Sequence, residues 1–174
     1  LKPYEEHRRA APKEIKVSIV TVSTSKSREA RGGKDVDDLS GKTIRRLVEF
    51  AGHTVVSQQL IDDDPQKIRF TVLKNLYEDA ADTAILTGGT GITRRDVTIE
   101  ALRSLFDKEL YGFGDVFRNL SYQLIGSPAY LSRATAGIID HRIIYCLPGS
   151  PDAVETAMKI IIYELPHAVL MAHS

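Results

Sequence analysis

Three glycines interleaved with two threonines, Thr87-Gly88-Gly89-Thr90-Gly91, stand between the apolar residues Ile85-Leu86 and the charged group Arg94-Arg95-Asp96. Glycines lack a Cβ, so backbone N–H groups can approach a ligand closely, and successive N–H groups in a turn form an anion nest. The threonine hydroxyls add donors and acceptors. The chemistry this pattern suits is phosphate binding at the carboxyl end of a strand, where open α/β sheets place their ligands. An acid beside such a nest is costly unless a cation intervenes. Asp96 therefore points to Mg²⁺, which is usually held by one or two carboxylates plus phosphate oxygens; its plainer role would be a salt bridge to Arg94 or Arg95. A second group of acids, Asp62-Asp63-Asp64, precedes Pro65. Asp64 is expected to cap a helix whose first residue is Pro65. Capping leaves Asp62 and Asp63 unexplained, either as a solvated turn or as a carboxylate available to a metal.

Two common phosphate motifs are ruled out. Ser40-Gly41-Lys42-Thr43 imitates the end of a P-loop, but G-x-x-x-x-G-K-[ST] requires glycine where Val36 stands, and Asp37 and Asp38 would repel a triphosphate. Lys42 is expected to be a solvated helix residue. The dinucleotide fingerprint G-x-G-x-x-G, begun at Gly89, meets Gly91 and fails at Arg94. The histidines at 7, 53, 141, 167 and 173 lack tight ligand spacing, so no zinc site is expected. No G-x-S-x-G elbow or Cys–His signature is present. Cys146, the single cysteine, lies in an apolar run and reads as a buried small hydrophobe.

The elements that would position these residues can be read from periodicity. Residues 17–22 are β-rich and end at Ser23-Thr24-Ser25. Residues 26–38, with two glycines and mixed charges, read as a long loop. Ser40 is expected to cap a helix presenting Ile44, Leu47, Val48 and Ala51 on one face and ending at Gly52. Residues 54–61 read as a second strand, followed by a helix with Ile68, Val72 and Leu76 inward. Residues 83–86 form a third strand and feed the glycine loop. Thr98 is placed as the cap of a helix over 99–106, and residues 114–126 as a helix with Phe117, Leu120 and Leu124 inward. Asp140-His141 joins two runs as a hairpin, which implies one antiparallel strand in a mostly parallel sheet. Ser150 caps the last helix, Pro151 fits its first position, and Val154, Ala157, Met158, Ile161, Ile162 and Leu165 form its apolar stripe.

With 174 residues the chain is long enough for one domain with a substantial core. Lys and Arg balance Asp and Glu at 23 each, so nucleic acid is not the expected partner. No stretch is apolar and long enough to span a membrane, and residues 2–9 lack the apolar run of a secretory leader; the expected compartment is the cytoplasm. Residues 1–13 are charged, carry prolines at 3 and 12, and read as an arm, with a short helix over 4–10, outside a domain of residues 14–174. Such an arm would be mobile, or would dock on another subunit.

Taken in order, several motifs resemble the MoaB/MogA family of molybdenum cofactor biosynthesis proteins. They are Asp38-Leu39-Ser40-Gly41, the acid before the helix at Pro65, Thr87-Gly88-Gly89-Thr90-Gly91 with Arg95-Asp96, Gly112-Phe113-Gly114-Asp115-Val116-Phe117-Arg118, Leu131-Ser132-Arg133-Ala134, and Leu147-Pro148-Gly149-Ser150. The Gly-Phe-Gly-Asp-Val-Phe-Arg segment and the charged arm resemble the MoaB branch. The resemblance implies a three-layer α/β/α sandwich of the molybdopterin-binding type. It also implies that the terminal phosphate of molybdopterin attacks the α-phosphorus of Mg·ATP with release of pyrophosphate. Such a transfer asks the protein mostly for positioning and charge neutralisation. By motif, Asp63 and Asp96 would be the catalytic acids that position Mg²⁺, with Asp62 and Asp64 as neighbouring registers for the first. Thr87, Gly88, Gly89, Thr90 and Gly91 would hold phosphate, and Ser23, Asp38, Ser40, Ser132, Arg133, Gly149 and Ser150 would line the substrate cleft. The family further implies a homotrimer or homohexamer and a metal-insertion protein as the recipient of the product. A non-enzymatic molybdopterin carrier is the alternative function, and a nucleotide-pyrophosphate hydrolase using the same glycine loop a third.

Overall fold

The computed structural model describes residues 3–174; Leu1 and Lys2 of the expected arm, and the side chains of Pro3, Tyr4 and His7, lie outside the described residues. Strands β1 (Lys16–Val22), β2 (Thr54–Ile61), β3 (Thr83–Thr87) and β6 (Arg142–Leu147) run parallel to one another. Strand β5 (Thr135–Ile139) runs against β6, and the two-residue β4 (Lys108–Glu109), which no pattern marks in the sequence, pairs antiparallel with β5. The order across the sheet is β2-β1-β3-β6-β5-β4. One strand, β5, thus opposes the rest, as the hairpin signal implies. Its turn uses Asp140 and His141, both at positive φ (45° and 63°), the geometry that suits a tight hairpin.

Helices cover both faces. Helices α3 (Leu39–Phe50), α6 (Tyr111–Ile125) and α7 (Pro151–His173) pack on one, and α4 (Pro65–Tyr77) and α5 (Thr98–Arg103) on the other. Side chains alternate along β1 accordingly: Val17 and Ile19 join Ile44, Val48, Phe117 and Val154, whereas Val20 and Val22 join Ile68, Val72 and Leu76. The architecture is therefore a three-layer α/β/α sandwich. Helix α1 (Pro3–Ala10) lies along α7, where Arg8 donates to Glu164. Among the described residues no helix is long and apolar enough to cross a membrane.

Four local expectations are corrected. Residues 26–38 are half helix rather than loop: α2 spans Thr24–Arg31, capped by the Ser23 hydroxyl at the Lys26 amide. Its buried Ser27 and the cations Arg28 and Arg31 in the last turn favour a helix, and Gly33 at φ 79° ends it. Asp38, not Ser40, caps α3 by accepting from the Gly41 amide. Thr98 begins α5 without capping it, and that helix stops at Arg103. Helix α6 starts earlier than expected, at Tyr111; Phe117 is buried as expected and Leu120 is half-buried, but Leu124 is 66% exposed.

Candidate functional site

The carboxyl ends of β1, β3 and β6 meet at Gly88. Its φ of 94° is a conformation that side chains rarely adopt, and a Cβ there would strike the Val22 carbonyl. From the other side Gly149 crosses so closely that a Cβ on it would stand 3.2 Å from the Gly88 Cα. Hydrogen bonds fix this crossing. The Gly88 amide donates to Leu147 O (3.0 Å), the Thr87 hydroxyl to Pro148 O (2.8 Å), and the Ser40 hydroxyl to Gly149 O (2.7 Å). Thr98 supports the loop from beneath: its hydroxyl donates to Gly88 O (2.9 Å) and its amide to Gly89 O (2.9 Å). Several hydroxyls that the sequence places near substrate are thus used to shape the loop. Among the described residues the Gly89 and Thr90 amides donate to no acceptor.

Two carboxylates face this loop from separate elements. Asp63 follows β2, and a Cβ on Gly89 would lie 2.9 Å from its Oδ1. Its other oxygen, Oδ2, accepts from the Thr24 amide (2.7 Å) and hydroxyl (2.8 Å). Asp96 lies on the opposite flank, where a Cβ on Gly91 would come 2.8 Å from its Oδ2. That oxygen accepts from the Thr93 amide (2.8 Å) and hydroxyl (2.6 Å). Partial burial works against its charged form, but the Thr93 and Gly91 bonds outweigh it and hold the carboxyl below its ordinary range. The plainer alternative, a salt bridge from Asp96 to Arg94 or Arg95, does not form.

The remaining acids separate by their partners. Asp64 caps α4 through the Lys67 amide (2.9 Å), as expected. Asp62 pairs with Arg31 and Lys67, and these cations, Lys67 foremost, hold its carboxyl well below the ordinary range. Only Asp63 of the three faces the glycine loop. Asp38 uses one oxygen for the Gly41 amide (3.0 Å) and the other for the Thr21 hydroxyl (2.6 Å), so it braces the start of α3. Cys146 is fully buried and burial pushes its thiol up to about 12, which removes it as a nucleophile.

The other residues named from sequence fall around the same edge of the sheet. Ser23 ends β1 and caps α2. Ser150 caps α7 by accepting from the Ala153 amide, and with Ser132 and Pro148 it lines a cavity of about 440 Å³ between α6 and α7. Arg133 donates to Thr90 O (3.0 Å) and pairs with Glu100 (2.7 Å), so its guanidinium is tied to the loop. The N-termini of α2, α3, α4 and α7 all start from this edge and add positive potential to it. Sequence reading missed the roles of Thr24, Thr21, Thr93 and Glu100, and assigned Thr98 to a helix cap in place of the loop. Thr93 carried a local signal, three residues before Asp96. Thr24, Thr21 and Glu100 act on partners 39, 17 and 33 residues away, a separation that leaves no pattern.

Residues 18–167 match the family described as "Probable molybdopterin binding domain". The chain is 43% identical over 170 residues to "Molybdenum cofactor biosynthesis protein B" of Bacillus cereus, covering 97% of this chain and 96% of that protein. It is 42% identical over 170 residues to "Molybdopterin adenylyltransferase" of Pyrococcus furiosus, covering 94% of each. Among solved structures, the tungsten cofactor synthesizing protein MoaB from Pyrococcus furiosus superposes with a TM-score of 0.83 at 39% identity, covering 94% of this chain and 100% of that one.

Proposed function

The chain belongs to the molybdopterin-binding family and, within it, to the MoaB/MogA proteins of molybdenum cofactor biosynthesis, and from that premise we propose that it adenylylates molybdopterin with Mg·ATP, releasing pyrophosphate. The observation that carries the reading is the pair of carboxylates set against the two ends of one glycine loop, Asp63 at Gly89 and Asp96 at Gly91.

These residues fit a Mg²⁺ ion chemically. Both acids offer hard oxygen donors, and Mg²⁺ commonly takes one or two carboxylates, completing its shell with water and phosphate oxygens. Among the described residues no three His, Cys, Asp or Glu side chains converge to form a larger cage. Bound there with ATP, the ion would supply neutralisation of phosphate charge and orientation of the reacting groups. The chain's own contribution is positional. The Gly89 and Thr90 amides and the surrounding helix N-termini would take phosphate, while Ser132, Ser150 and the α6–α7 cavity would take the pterin side. The terminal phosphate of molybdopterin is itself the nucleophile, so no protein nucleophile is needed, and the buried thiol of Cys146 is compatible with that.

Arg133, already bonded to Thr90 O of the loop, would exchange Glu100 for phosphate on substrate binding. Residues 1–13 would form an arm added to a domain of residues 14–174. The exposed apolar side chains of α6 and the turn after it, Tyr122, Leu124, Ile125 and Tyr130, support self-association as a homotrimer or homohexamer. A metal-insertion protein of the pathway would receive the adenylylated product, in the cytoplasm.

Incubation with molybdopterin and Mg·ATP, followed by mass detection, is expected to yield an adenylylated pterin and pyrophosphate. No product at saturating substrate overturns the proposal. Asp96→Asn is expected to lower turnover by about 10²-fold or more while molybdopterin binding holds or tightens. A carrier protein would show the binding and no turnover in either form.

A further inference from the structure

The Asp63 carboxylate is unevenly used. Oδ2 receives two hydrogen bonds, from the Thr24 amide (2.7 Å) and the Thr24 hydroxyl (2.8 Å). The same hydroxyl oxygen accepts from the Asp63 amide (3.0 Å). Three hydrogen bonds thus link two residues 39 positions apart and lock the carboxylate in one rotation. The consequence is that Oδ1, the oxygen against Gly89, is the one left toward the loop. A carboxylate free to rotate would present either oxygen, or both, to a cation.

The support for Thr24 is itself anchored. It is the first residue of α2, an eight-residue helix. The last residue, Arg31, makes two guanidinium bonds to Asp62 (2.8 and 2.9 Å). One short helix therefore grips the Asp62-Asp63 turn from both of its ends, and the adjacent acids point to different partners. Neither contact is to the glycine loop, so the arrangement acts on the site only through Asp63.

We propose that Thr24 is a positioning residue for adenylyl transfer: by occupying Oδ2 it makes Asp63 a one-oxygen ligand aimed at the Gly89 turn. The inference rests on the adenylyltransferase reading for its chemistry. Thr24→Val keeps the shape and the amide bond but removes the hydroxyl, whereas Thr24→Ser keeps the hydroxyl. Removing a group that orients a metal ligand costs about 10- to 100-fold in metal affinity or activity.

Two readouts test it on the full chain. The first is Mn²⁺ affinity, followed by electron paramagnetic resonance with a non-hydrolysable ATP analogue bound. The second is the Mg²⁺ concentration that gives half-maximal adenylylation. Thr24→Val is expected to weaken both by about tenfold or more, with molybdopterin affinity unchanged, and Thr24→Ser to restore both to near the wild-type values. Thermal melts of all three proteins separate this from misfolding. Wild-type-like Mn²⁺ affinity in a folded Thr24→Val protein overturns the proposal, as does equal impairment of the Val and Ser variants. If wild type forms no adenylyl-pterin, the functional reading fails, and the Mn²⁺ arm still decides the role of Thr24.

Discussion

Arg31 and Lys67 surround Asp62, Thr24 holds Asp63, and the α4 backbone takes Asp64, so three identical side chains in sequence do three kinds of work. The Asp64 cap was legible because its partner is three residues away and Pro65 marks the helix start. The other two were not, because Arg31 and Thr24 arrive from α2, a segment whose glycines and mixed charges read as loop. The depressed Asp62 carboxyl gives a pH prediction. Its charged form is favoured by folding, so its stabilisation is present above the ordinary value of 3.8 and is lost as pH falls. Urea midpoints of wild type and Asp62→Asn are expected to differ at neutral pH, with wild type the more stable. They should draw together as pH falls below about 5 and converge only below about pH 2. Parallel curves over that range would mean the ion pairs contribute nothing.

Among the elements, the long helices followed their periodicity, since α4 buries Ile68, Val72 and Leu76 and the last helix buries Val154, Ala157, Met158, Ile161 and Leu165. Short elements did not. The end of α3 was clear from Gly52, yet its start was misplaced, because Ser40 and Asp38 are both good caps and tertiary contacts decided between them. Asp38 took the cap, and Ser40 was left to reach 109 residues along the chain to Gly149. Ser40→Ala would leave the Gly149 carbonyl without that donor. It is expected to cost about 1 to 3 kcal/mol in denaturant unfolding, and to lower turnover by loosening the crossing at Gly88. Unchanged stability and turnover would remove Ser40 from the account. Leu124 departs from its pattern: helical spacing put it in line with Phe117, but it borders the open cavity between α6 and α7 instead of entering the core.

At the scale of the whole molecule, two apolar cores, one on each face of the sheet, hold the sandwich together; the apolar helix faces were visible in their patterns, whereas the three layers followed from the family resemblance. The surface carries a further statement. Tyr122, Leu124, Ile125 and Tyr130 expose 58–77% of their area on one stretch of chain. A monomer rarely leaves such a patch uncovered. Leu124→Asp combined with Tyr130→Lys is expected to shift sedimentation toward the monomer while the circular dichroism spectrum is kept. Retention of the wild-type sedimentation would remove this patch from the proposed self-association. Motif order, rather than periodicity, gave the partners and the substrate; nothing in a hydrophobic pattern encodes which phosphate ester a glycine turn will receive.

The place of β6 in the sheet has a temporal consequence. It is the last strand in the chain, yet it sits between β3 and β5 and carries the Leu147–Gly149 segment onto Gly88. During synthesis the glycine turn emerges about sixty residues before the carbonyls that shape it. Parallel pairings that join distant parts of a chain form slowly, because loop-closure entropy must be overcome first. A half-made chain therefore has no nest to offer, and binding of the proposed nucleotide substrate would report, in a refolding experiment, the moment at which the final strand enters the sheet.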